Sequence, residues 1–509
     1  MTDRFDGAAS ASPTSSPSPS PIPEPYSPQR RTALVLTGTG TAGAYHAGAL
    51  RALHEAGVKI DIVAGRGVGV IGALFAAVDG AQRLWDEKGF WRAPAVTALY
   101  EWRLVPRVIV WALAASLAIV AIPMAAMALG LIVFPVDFLL KMVGATGASG
   151  LVGAYLQFAQ AAFAPTALPT WLPRLVLLVL GTAGLVAFVD GWLSRGHEGG
   201  RALGASWWRA ARAPMSSARA IDHCWKVMWD LVRGATQLKE PTPAELGRRF
   251  AEMLTENIGQ PGFRELIVAV HDADAHRDLI FAMVGESRRR DLIRRSTSDA
   301  AEARRAEVFD LAGIARDHLP DAVAGALTVP LATEWHRITF AADGYWRGET
   351  HRLCDRPASL IRLIDELIDL GVEQIILVSA APESPGPHAL ATPRLDGRGR
   401  LGEYLQSAEA AVVRDATTTT GGVRIFTVRP AHNPIGPFDF SGGYDDRSHR
   451  RQGLGELINR GYEDAYHQFI EPVVGASGDK MEFQNSDLRF QNLTPNLTPN
   501  LKSNLKSEI

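Results

Sequence analysis

Gly65-Arg66-Gly67-Val68-Gly69 has the outline of a nucleophile elbow, Gly-x-Ser-x-Gly, with glycine where the serine would stand. In that motif a strand enters a strained turn and leaves as a helix, and the turn lifts the central side chain into a cleft. The flanks fit this geometry. Ile60 to Ala64 reads as a short buried strand, and Val70 to Ala77 as a helix with small residues toward a neighbour. Glycine tolerates the turn's backbone but supplies no hydroxyl.

Upstream, Thr32 to Leu36 reads as a strand and about Ala44 to Ala56 as a helix, joined by Thr37-Gly38-Thr39-Gly40-Thr41-Ala42-Gly43. Gly38, Gly40 and Gly43 satisfy G-x-G-x-x-G, and Asp61 follows about twenty residues on, the spacing of a dinucleotide site. The same arrangement can build an oxyanion or anion cradle from the amides of Gly38, Thr39 and Gly40, because N–H groups at a helix start point at negative charge. A dinucleotide fold would continue from the second strand into a base-binding loop, whereas this chain continues into the Gly65–Gly69 elbow. The nucleotide reading of the Gly38-Gly40-Gly43 loop is therefore the least favoured.

Composition narrows the partners. A net charge of -2 over 509 residues and a pI near 6.7 give no global nucleic-acid signature. Cys224 and Cys354 lack metal or redox spacing, and no cofactor or metal is expected. Ala8 to Pro28 is dominated by Ser and Pro, and the end of the chain repeats Asn-Leu-Thr-Pro and Asn-Leu-Lys-Ser, so both termini (1–30 and 476–509) read as disordered.

The middle of the chain changes solvent. Val108 to Val136 carries no charge, long enough to span a bilayer, and 168–190 is a second, shorter apolar run that takes in Arg174. Arg103 and Arg107 precede the pair, and Arg195, Arg201, Arg209 and Arg212 follow it, which places both flanks in the cytoplasm by the positive-inside rule. Trp91, Trp102, Trp111, Trp171 and Trp192, with the Trp207-Trp208 pair, suit a headgroup belt. The competing reading is a helical hairpin buried in a large soluble core.

Leu36 to Leu50, Leu53 to Val58 and the elbow resemble the opening of the patatin-like phospholipase family, lipid acyl hydrolases with a Ser-Asp dyad. The resemblance resumes at Leu266 to Asp272 and Asp321 to Pro330, then at Ala342-Asp343-Gly344-Tyr345, and continues through Gln374 to Ala380 and Gly461 to Ala465. It implies a three-layer α/β/α patatin-like fold with an inserted transmembrane helical hairpin. The implied plan is a first part at 31–102, the insertion at 103–215 and a second part at 216–475. It also implies that Asp343 is the dyad aspartate and that Gly67 marks the missing serine. Ala42, Thr39 and Tyr345 depart from the family's usual loop and Asp-Gly-Gly/Ala residues.

Arg66 is expected either to face solvent or to meet Asp343 or an anionic headgroup. His46 reads as a surface or packing residue, and Arg288-Arg289-Arg290 with Arg294-Arg295 as a solvated helix face, contact with anionic lipid being the alternative. Thr37, Thr39, Thr41 and Ser379 are the weak candidates for a substitute hydroxyl. The expected role is that of an inner-membrane, two-span protein of lipid metabolism, its patatin-like domain facing the cytoplasm. Its expected partner is a membrane lipid or acyl ligand, not nucleic acid, and it is catalytically impaired. An active lipid acyl hydrolase using Asp343 and another nucleophile is the alternative.

Overall fold

A computed structural model describes residues 25–144, 150–193, 213–234, 239–294, 306–385, 393–394, 396–419, 422–445 and 447–475. Most of the Ser/Pro-rich segment, the repetitive tail, Arg195, Arg201, Arg209, Arg212, Trp207-Trp208 and Arg295 lie outside the described residues.

The chain begins β1 (Thr32–Thr37), α1 (Ala42–Glu55), β2 (Ile62–Arg66), α2 (Gly69–Ala77), α3 (Gln82–Trp85) and β3 (Glu101–Trp102). Three helices follow, α4 (Leu104–Met142), α5 (Gly150–Ala162) and α6 (Leu168–Leu193), and then β4 (Met215–Ser216), α7 (Ala218–Val232) and α8 (Pro243–Asn257). Next come β5 (Glu265–Asp272), β6 (Arg277–Met283), α9 (Glu286–Arg294), β7 (Val308–Asp310), α10 (Leu319–Ala326), β8 (His336–Thr339) and β9 (Thr350–Cys354). The domain closes with α11 (Ser359–Asp369), β10 (Gln374–Ser379), α12 (Gly397–Thr419), β11 (Arg424–Val428) and α13 (Leu454–Ala465).

The main sheet runs β11-β10-β1-β2-β5-β6-β7. Its β11 to β5 portion is parallel, and β6 turns back antiparallel on β5. Period-two alternation divides the core. Leu34, Leu36, Val63, Val268 and Val378 join the layer of α1, α2 and α13, while Ala33, Val35, Ala64, Ala269 and Leu377 pack with Leu363 and Leu367 of α11 and Val413 of α12. Helices cover both faces, which makes this an α/β/α fold with a mainly parallel sheet.

α1 and α13 approach backbone to backbone. A Cβ at Gly461 would lie 2.1 Å from the Tyr45 carbonyl oxygen, and one at Gly48 would lie 1.8 Å from that of Ile458. The Tyr45 hydroxyl then reaches Asp464 at 2.8 Å.

α4 packs against α6 and α5; Ala112, Ala126 and Gly130 of α4 and Ala183 of α6 are buried, with Gly130 set against Tyr155 of α5. The Leu104–Met142 and Leu168–Val189 helices are long and apolar enough to cross a membrane, with mean hydropathies of 2.6 and 2.1. The buried-core reading is corrected here: only 6% of each apolar window is buried, and Leu117, Leu131 and Leu177 point outward. At 1.5 Å per residue α4 is roughly 58 Å long, about twice a bilayer's hydrocarbon thickness, so it extends past any core it crosses. The short α5 lies back along α4, its Tyr155 hydroxyl donating to the Ala126 carbonyl at 3.1 Å.

The chain leaves and rejoins the domain at one place. β3 pairs with β4, and the Arg103 amide donates to the Pro214 carbonyl at 2.9 Å. Tyr100, just before β3, stacks on Phe440 at 5.8 Å, and Phe440 in turn packs against Gly40. The helices therefore depart beside the glycine loop.

Gly461→Ala should destabilise the protein by about 2–3 kcal/mol, because one methyl must open a backbone contact. Urea denaturation of the detergent-solubilised chain measures this, and a change within about 0.5 kcal/mol, typical of a surface site, would contradict the contact.

Candidate active site

The elbow's backbone is present. β2 ends at Arg66, α2 starts at Gly69, and between them Gly67 has φ +55°, the left-handed conformation a nucleophile turn demands. Its mouth is filled. The Gly38 carbonyl accepts from the Val68 N–H at 2.9 Å, and a Cβ on Gly67 would lie 2.2 Å from that same oxygen. In a working elbow the amide following the nucleophile helps to hold the oxyanion. Here that amide is bonded to a carbonyl.

The carboxylate facing Gly67 is Asp355, not Asp343. Asp355 Oδ2 would lie 2.8 Å from a Gly67 Cβ. Sheet register explains the placement: Arg66 of β2 pairs with Ala269 of β5, and Cys354 of β9 pairs antiparallel with His271 two residues on. The residue after β9 is thus delivered to the end of β2. Asp343 sits in the exposed turn closing the β8–β9 hairpin, where the Gly344 amide donates to the Ala341 carbonyl at 3.0 Å. Tyr345 beside it is also exposed, edge-on to Trp346. Asp355 escapes a motif search because Arg356-Pro357 follows it in place of glycine.

Arg66 neither faces solvent nor meets Asp343. It is fully buried, its Nη1 donating to Asp355 Oδ1 at 2.6 Å and its Nη2 paired with Glu409 of α12. Thr37 at the end of β1 donates its hydroxyl to the same Glu409 at 2.5 Å. Two carboxylates around one guanidinium leave an excess negative charge away from water. Burial accordingly raises the Asp355 pKa, with Arg66 opposing it. Between this cluster and the glycine loop remains a cavity of about 20 Å³, lined by Gly38, Thr39, Thr41, Ala42, Leu405 and Glu409. That is room for about one water molecule.

Carbonyls close off one end of the glycine loop. Pro437 offers its carbonyl to the Thr41 amide at 3.0 Å, and the Gly436 carbonyl accepts the Thr41 hydroxyl at 2.9 Å. These two oxygens face the start of α1 beside the small cavity. The dinucleotide reading fails on position as well. Asp61 accepts from the Thr32 amide at 2.9 Å and pairs with Lys59 at 3.2 Å, at the opposite end of β1 from the loop.

Of the substitute hydroxyls, Thr37 and Thr41 are engaged as described, and Ser379 Oγ accepts from the Ala381 amide at 3.2 Å. Thr39 Oγ1 stands 3.4 Å from Asp355 Oδ2. Arg288 and Arg289 are tied into the domain by Glu265 at 2.8 Å and Asp310 at 2.5 Å. His46 is buried beneath the loop, bonding the Thr37 carbonyl through Nε2 at 3.0 Å.

The comparisons with known proteins fall on this architecture. The chain is 44% identical over 70 residues to patatin-like phospholipase domain-containing protein 6 of Mus musculus and of Homo sapiens. This is partial homology to a patatin-like protein. The match covers 14% of this chain, and the chain spans about 5% of the length of the curated relatives it matches. No family model matches the chain. Among solved structures, VipD from Legionella pneumophila aligns with 87% of this chain and 67% of its own at 11% identity, but a TM-score of 0.27 carries no argument.

Gly67→Ser should cost about 3 kcal/mol, from a β-carbon forced against the Gly38 carbonyl in a left-handed turn, and should give no ester hydrolysis. Denaturation and p-nitrophenyl ester turnover measure both; turnover in this variant would mean the loop opens readily. Burial lowers the His46 pKa to about 4, aided by Arg66 and opposed by the bond to Thr37. A depressed histidine stabilises the fold fully above its unfolded value near 6.5, and that contribution is lost as pH falls toward 4. His46→Gln should therefore remove about 3 kcal/mol of the acid-side fall in stability between those limits, read from urea midpoints across pH.

Proposed function

We propose that this chain is a membrane-attached, patatin-like protein of lipid metabolism that has given up ester hydrolysis and acts by binding or scaffolding at a lipid surface. The observation that carries the reading is the filled elbow, with Gly67 against the Gly38 carbonyl and the Asp355–Arg66–Glu409 cluster behind it. Covalent acyl transfer needs an activated nucleophile, and losing the serine alone costs a serine hydrolase roughly a millionfold in turnover. The cavity beside the elbow, about 20 Å³, has no space for an acyl chain, which favours lipid contact at the surface around the departing helices.

Two exposed apolar helices support attachment. The pairing of β2 with β5 requires that the segments before and after the hairpin lie on one side of the bilayer. Two spans satisfy this, and Arg103 and Arg107 make the cytoplasmic side of an inner membrane the favoured one.

A second reading, an acyl hydrolase with Thr39 as nucleophile, draws on the 3.4 Å approach of its hydroxyl to Asp355. Against it, Asp355 is already committed to Arg66 at 2.6 Å, and its approach to the Thr39 hydroxyl is long at 3.4 Å. A fluorophosphonate probe separates the two. No labelling of the full-length protein is expected, and labelling abolished by Thr39→Val would establish the second reading. Alkaline carbonate washing should leave the chain in the membrane pellet; its release would remove the spans.

A further inference from the structure

The segment from Leu331 to Trp335 is stitched to the base of the helical hairpin. The Ala332 carbonyl accepts from the Met215 amide at 2.9 Å, Thr333 forms a bridge with Met215, and Glu334 pairs with Arg103. These are the residues through which the chain leaves for α4 and returns from α6. At this position Leu331 is 76% exposed and held at φ +65°. A bulky side chain in the left-handed region is disfavoured, and a leucine in water gains nothing from its apolar surface. Both unfavourable features meet in one residue.

Around it are further apolar groups turned outward. Trp102 on β3 is 43% exposed, Leu104 opens α4 at 69%, and Trp335 carries the Arg352 guanidinium 4.7 Å above its ring. Charges nearby are largely paired: Arg219 at 2.9 Å and Arg107 at 3.9 Å share Glu101, Arg103 meets Glu334, and Arg352 meets Asp274, four cations against three carboxylates. The patch is thus apolar and aromatic, with a rim left only one positive charge in excess, and its aromatic and apolar groups suit the headgroup layer.

We propose that Leu331, Trp335 and Trp102 form a collar around the hairpin that dips into the interfacial layer of a bilayer and fixes how the domain sits on it. The proposal rests on the reading of α4 and α6 as membrane spans. Its occupant is lipid because the patch is continuous with the apolar helices at their point of departure.

The test uses the full-length chain in phosphatidylcholine vesicles, labelled with an environment-sensitive fluorophore at Leu331→Cys, at Leu117→Cys in α4, or at Lys59→Cys at the far end of the sheet. Native Cys224 and Cys354 are buried and leave the introduced thiol as the reactive one. Nitroxides near the headgroup should quench the Leu331 position, nitroxides deep in the chains the Leu117 position, and neither the Lys59 position. If Leu117 is quenched while Leu331 behaves like Lys59, the collar is wrong and the spans stand. If neither Leu117 nor Leu331 is quenched, both fall. Quenching at Leu331 that requires anionic lipid would replace the apolar collar with an electrostatic contact.

Discussion

A guanidinium that water does not reach must have its charge balanced where it lies, and Arg66 imposes that condition on three elements at once. β2 supplies the arginine, the end of β9 supplies Asp355, and α12 supplies Glu409. Removing one member of such a buried cluster typically costs about 3–5 kcal/mol, since the remaining charges lose their partner but stay out of water. The cluster therefore fixes α12 and the β8–β9 hairpin against the central strands. It occupies the volume behind the elbow that a reacting group would need. Stability and closure have the same origin here.

The elbow itself remains well formed, with its left-handed centre and its strand and helix in place. What differs is the position of one carbonyl. With Gly38 oxygen on the Val68 amide, the glycine loop is drawn onto the turn and needs a residue without a β-carbon opposite it. Glycine at 67 and the closed loop are thus mutually dependent. The loop's outer side is linked to the point where α4 departs through Gly40, Phe440 and Tyr100. Its inner side is linked through the Asp355 amide, which donates to the Thr328 carbonyl at 2.8 Å.

Sequence legibility followed the range of the forces involved. β1, α1, β2, the elbow, α2 and β10 were readable because each is a local apolar run or a glycine turn. The site's charged residues were not, because their partners lie hundreds of positions away and only strand register brings them together. Arg66 could have been placed by parity: it shares a strand face with Ile62 and Ala64, both in the core beside α11 and α12. Glu409 gives no such sign, as a glutamate in an amphipathic helix ordinarily faces water. Asp343 fits a motif through its glycine neighbour, whereas Asp355 is placed by the antiparallel docking of β9 on β5. The apolar helices were legible only in part: charge-free Val108 to Val136 lies inside the longer α4, the second run crosses Arg174 within α6, and α5 between them gave no signal.

The same discontinuity that sends the chain out beside Tyr100 also orders its synthesis. β1 and β2 emerge first, yet β5, which pairs with β2, follows about 200 residues later, and β10, which pairs with β1, later still. At ribosomal speeds of about 5–20 residues per second, that leaves the outer edge of β2 open for roughly 10–40 s, and the outer edge of β1 for longer, although the two strands can pair with each other. During that interval α4 and α6 must find their own environment. The sheet therefore closes on both sides of the β1–β2 pair only after α4 and α6 have been made.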